Sequence, residues 1–117
     1  MSATWETILA GALRSEDPVA RLRAASVDRA LPLAVRRAFE RAVHDGHGLQ
    51  MAALLVAKLR FERLMRGSGA LSEWFERDPE GFTATFHRYH RETPLSAIFP
   101  TAEARDFARF CEGESAK

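Results

Sequence analysis

Two Asp-Pro pairs, Asp17-Pro18 and Asp78-Pro79, punctuate a chain whose apolar residues recur with helical spacing. Aspartate is a favoured N-cap. Proline is favoured at the first helical position, where its missing N–H breaks no intrahelical bond. Each pair therefore marks a helix start. Trp5, Ile8, Leu9, Ala12 and Leu13 fall at i, i+3, i+4, i+7 and i+8, one face of an amphipathic helix that "SEDP" ends. A short second helix carries Val19 and Leu22. Pro32 falls in the first turn of a third, with Leu31, Val35, Ala38, Phe39 and Ala42 as its stripe. "HDGHG" is expected to break that helix, with Gly46 and Gly48 supplying positive φ.

The fourth helix is expected over about 49–66. Its first half is apolar nearly all round, which predicts a buried, central helix. "GSG" stops it, and a short helix with Leu71, Trp74 and Phe75 follows. The helix begun at Asp78-Pro79 carries Phe82, Phe86, Tyr89 and His90. It ends before Pro94, because the residue preceding proline avoids the α region. "PLSAIFP" reads as a loop bracketed by prolines. Thr101 reads as the cap of a last helix with Ala104, Phe107, Ala108 and Cys111 on its apolar side. No window alternates with period two, so no strand is expected. The expected fold is all-α, with six or seven short helices packed around one long central helix. Residues 1–111 read as a single helical domain and 112–117 as a disordered polar tail.

Composition narrows the function classes. Seventeen basic residues nearly balance sixteen acidic ones, for a net charge of +1, which argues against broad attraction to nucleic acid or anionic membrane. The single cysteine, Cys111, cannot form an internal disulfide, so a reducing compartment is the default. "MSATWETILAGALRSEDP" lacks the basic start and apolar run of a signal peptide. "LQMAALLVAKL" is too short to span a membrane and is interrupted by Gln50 and Lys58. The expected location is the cytoplasm.

All four histidines lie in H-x-x-H pairs, His44 with His47 and His87 with His90. A metal site normally needs a third and fourth ligand, and no acidic or sulfur residue is forced to converge on either pair. His90 falls in line with Phe82 and Phe86, as a half-buried amphipathic residue would. His44 suits the negative end of a helix dipole. No nucleophile, acid and base can be assembled, so neither a catalytic set nor a bound cofactor or metal is expected. Arg36, Arg37 and Arg41 cluster on one helix, and Arg60, Arg63 and Arg66 on another. A recognition helix beginning "LQMAALLV" is too apolar for a DNA groove. The plain reading is solvated arginines whose stems cover apolar surface.

Beyond these readings, the C-terminal half carries a resemblance. An aromatic-rich helix ("GFTATFHRYH"), a proline loop ("TPLSAIFP") and a short final helix ("EARDFARF") follow one another between Leu55 and Phe110. This order resembles the small helical partner proteins encoded beside multinuclear non-heme iron-dependent oxidases. Those oxidases modify ribosomally made peptides, as in the methanobactin and 3-thiaglutamate pathways. The resemblance implies a non-catalytic subunit that pairs with the oxidase as a heterodimer, the iron and its ligands belonging to the oxidase. A short cysteine-containing precursor peptide is a second candidate partner. The other class left open is a stand-alone helical interaction or regulatory module without enzymatic activity.

The candidate docking residues are Arg88, Arg91, Leu95, Ile98 and Phe99. The last three lie in a proline-braced loop, where they cannot all follow a helical stripe. Loops run over the surface, so some of this apolar area should be exposed. Aromatic and arginine side chains are the usual anchors of an interface. The competing expectation is that Ile98 and Phe99 fold back to close the core.

Overall fold

The structure is a computed structural model that describes residues 4–97 and 99–115. It is all-α, with seven helices: α1 (Trp5–Arg14), α2 (Pro18–Ser26), α3 (Leu33–His44), α4 (Gly46–Gly67), α5 (Gly69–Arg77), α6 (Pro79–Glu92) and α7 (Pro100–Ser115). The longest is α4, with 22 residues. The chain falls into two compact units, Met1–Val56 and Ala57–Lys117, and each has its own apolar cluster.

In the first unit, α1, α2 and α3 pack together, and Ala12, Leu22, Phe39 and Leu49 form the buried centre. Asp17 begins α2 as its spacing predicts: its Oδ1 accepts from the Ala20 N–H at 3.0 Å, and Pro18 follows at the first helical position. The "HDGHG" stretch differs from expectation. Among the described residues no glycine has positive φ, and α4 begins at Gly46, earlier than position 49. The reason is Asp45, whose Oδ1 accepts from the Gly48 N–H at 3.1 Å while its carbonyl accepts from Leu49. A Cβ at Gly48 would sit 2.8 Å from the Asp45 carboxyl carbon, so glycine lets the capping carboxylate approach. The apolar first half of α4 is not buried all round: Met51, Leu54 and Leu55 are exposed, while Leu49 on another face enters the cluster.

In the second unit, Leu64, Phe82, Phe86, Tyr89 and Phe107 are the buried centre. Aromatic rings meet edge to face: Trp74 with Phe82, Phe61 with Phe75, and Tyr89 with Phe107, each at 5.0 Å. Such pairs add about 0.5–1.5 kcal/mol each beyond burial. Asp78 repeats the Asp17 device, accepting from the Gly81 N–H at 3.1 Å. Thr101 is not the cap of the last helix. Pro100 takes the first helical position, and the Phe99 carbonyl accepts from the Glu103 N–H at 3.0 Å, placing Thr101 inside the first turn. Residues 112–115 of the stretch read as a tail continue α7 as helix.

Candidate functional site

The reading of Arg60 as a solvated arginine is overturned. Arg60 is fully buried, and so is Glu103. On α4, Arg60 lies one turn before the buried Leu64. On α7, Glu103 lies one turn before the buried Phe107. Both charged groups thus occupy the inward stripe of their helix, where only a partner of opposite sign makes them tolerable. The Arg60 Nε stands 3.1 Å from Glu103 Oε1 as an ion pair. Arg63, partly exposed, donates to the same oxygen from Nε at 3.3 Å and Nη2 at 3.1 Å. The Tyr89 hydroxyl donates to Glu103 Oε2. Burial, followed by this bond to a carboxylate, raises the Tyr89 phenol well above its ordinary value of 10.0. The Arg60 guanidinium also covers the Tyr89 ring, 4.2 Å from its centroid.

The rest of the Arg60 fork reaches the end of α6. Its Nη1 donates to the Thr93 carbonyl at 2.7 Å and its Nη2 to the Pro94 carbonyl at 3.2 Å. Nη1 also stands 3.4 Å from His90 Nδ1. Arginine has no acceptor, so Nδ1 must be the acceptor here and the neutral ring carries its proton on Nε2. His90 is buried and stacks on Phe86, with rings 7° apart and centroids 5.7 Å apart. The network therefore ties α4, α6, α7 and the start of the α6–α7 connection, and its carboxylate has no exposed face. Its donors point at protein groups, so its chemistry is that of a fastening.

The expected docking residues are placed as follows. Phe99 is 70% exposed and Leu95 38%. Ile98 lies outside the described residues. Arg91 is exposed. Arg88 is held on the surface by Glu114 of α7, through Nε to Oε1 at 2.8 Å and Nη2 to Oε2 at 3.2 Å. The bond to Glu114 raises the Arg88 pKa, reinforcing its positive charge. His87 is exposed while His90 is buried, so the pair that shares a spacing does not share an environment. Among the described residues no group of three or more His, Cys, Asp or Glu side chains is placed to hold a metal ion. Cys111 packs beside the second cluster, and burial pushes its thiol pKa up.

The Arg60–Glu103 pair was missed because each residue, taken alone, looks like a surface charge. The signal was its register: an arginine in line with Leu64 and a glutamate in line with Phe107, of opposite sign. No helix among the described residues is long and apolar enough to cross a membrane. No known protein family, curated protein or solved structure matches this chain.

Proposed function

We propose that the chain is a non-catalytic partner subunit that docks onto a multinuclear non-heme iron-dependent oxidase and supports its modification of a ribosomally made precursor peptide. The observation that carries the docking part is the α6–α7 connection. Its first carbonyls are fastened by Arg60, and farther along it displays Leu95 and a largely exposed Phe99. An apolar side chain offered from a braced backbone loses less freedom on binding than one on a loose loop, which favours association. In this reading the exposed Phe99 is the anchor, and the exposed Leu95 and Arg91 are further contacts. Arg88 contributes through its pairing with Glu114, which joins α6 to α7. The choice of an iron oxidase as partner rests on the sequence resemblance between Leu55 and Phe110.

The test is co-purification with an oxidase encoded beside this chain, using Phe99→Ser and Arg91→Glu. Arg88→Glu is less informative, because it sets two carboxylates against each other at Glu114. Loss of the complex with an unchanged thermal midpoint is the expected result. An intact complex with both variants moves the interface elsewhere. Failure of the unaltered chain to bind the oxidase rejects the partner reading itself.

A further inference from the structure

We infer that α4 is a self-association surface: two copies of this chain pair through its exposed apolar face, antiparallel, about a two-fold axis at Leu55. The inference is independent of the docking reading for the α6–α7 connection and rests on a different part of the chain. Met51, Leu55 and Leu59 stand four residues apart along one uninterrupted helix, and Leu54 borders them. Residues at this spacing share a helix face. All four are between 46% and 63% exposed. Together they leave about 400 Å² of apolar surface in water, as much as the largest patch on a typical monomer. Two such faces bury about 800 Å², which supplies the apolar share of a dimer interface of about 1,200–1,400 Å².

The occupant is a second copy because the face is complementary to itself. In an antiparallel pair with Leu55 on the axis, each residue before Leu55 meets the one equally far after it on the second copy. Met51 then meets Leu59, and Leu55 meets Leu55. Ala52 meets Lys58, and both are exposed in the single chain. The lysine stem covers apolar surface there while its ammonium reaches water. Glu62 falls opposite Gly48, which has no side chain to bury it. Asp45, just before the helix, and Arg66, in its last turn, are both exposed and come to the same end of the pair, so opposite charges meet at both ends. A parallel pair would set Lys58 against Lys58 and Arg66 against Arg66, which like-charge repulsion disfavours. A face that meets itself in this way closes as a dimer and does not propagate.

The experiment uses the whole chain with Cys111→Ser as background. Sedimentation equilibrium from about 10 μM to about 1 mM should show the mass rise from 13.1 kDa to twice that value. Leu55→Glu should remain at 13.1 kDa with its helical circular dichroism unchanged, because the side chain faces water in the single chain. Under mild oxidation Leu55→Cys should cross-link with itself. Lys58→Cys should not, because position 58 of the two copies is separated by about 9 Å along the axis of an antiparallel pair, beyond disulfide reach. A mixture of Met51→Cys and Leu59→Cys should cross-link between the two variants. An unaltered chain that stays at 13.1 kDa throughout overturns the inference and gives the face to a different protein. Dimerisation of Leu55→Glu as strong as that of the unaltered chain overturns it by placing the dimer on another surface. Self-cross-linking of Lys58→Cys as fast as that of Leu55→Cys overturns the antiparallel pairing.

Discussion

Replacing Glu103 by leucine removes the one carboxylate of a network that holds two guanidinium groups. Arg60 would remain fully buried against the Thr93 and Pro94 carbonyls, the His90 ring nitrogen and the Tyr89 ring, with no carboxylate paired to it. Breaking a buried ion pair by deleting one partner costs about 3–5 kcal/mol. The Tyr89 hydroxyl, buried and left without its acceptor, carries about 1–3 kcal/mol of the same loss. The two overlap, so the expected destabilisation for Glu103→Leu is about 4 kcal/mol. A chain of 117 residues has a total stability on the order of 6–18 kcal/mol at the usual value per residue. The loss is a large fraction of that total, and the thermal midpoint falls by roughly 15 °C or more. Urea unfolding followed through Trp74, which packs on Phe82, reads the second unit directly once Trp5→Phe silences the other tryptophan. Combining Glu103→Leu with Arg60→Met should recover at least half of the loss, because apolar replacement of both members of a buried pair is often neutral. A Glu103→Leu chain within about 0.5 kcal/mol of the parent, or two substitutions that simply add, would refute the argument that Arg60 depends on Glu103.

Tyr89 is the only tyrosine, so phenolate absorbance reports it alone. Its pKa is raised in the folded chain, so its contribution to stability is complete below about pH 10 and is lost as pH rises above that value. Alkaline titration should show no phenolate near pH 10 until the chain unfolds, and ordinary ionisation there in the native state would contradict the Tyr89–Glu103 bond. Gly67→Ala should destabilise by more than 1 kcal/mol although alanine is the better helix former, because its Cβ would press on the Pro100 backbone, 2.6 Å from the carbonyl carbon. A thermal midpoint at or above the parent's would show that this approach relaxes freely. Asp78→Ala removes the cap on Gly81 and should cost about 1 kcal/mol in urea unfolding, and no change would mean the α6 start holds without it. Phe82→Ala, at a fully buried ring meeting Phe61, Trp74, Phe75 and Phe107, should cost about 3–5 kcal/mol, and a loss below about 1 kcal/mol would contradict its central place.

The helical character of this chain and most of its helix starts were legible from local chemistry. Asp17-Pro18 and Asp78-Pro79 begin helices because a carboxylate reaches an N–H three residues on and a proline needs no donor there. That physics involves only neighbours in the chain. The same local logic applied to Asp45 and Gly48, but glycine's role there was close approach and not positive φ, a distinction that depends on where the capping carboxylate lies. The exposure of Met51, Leu54 and Leu55 followed from which face of α4 its neighbours cover, and hydropathy along one helix does not contain that. The network of Arg60, Glu103, Tyr89 and His90 was decided by tertiary structure for the sharpest reason. A charge is tolerable inside a protein only when its counter-charge arrives with it. Arg60 and Glu103 lie on helices far apart in the chain, so each could be read as solvated until α4, α6 and α7 were packed together.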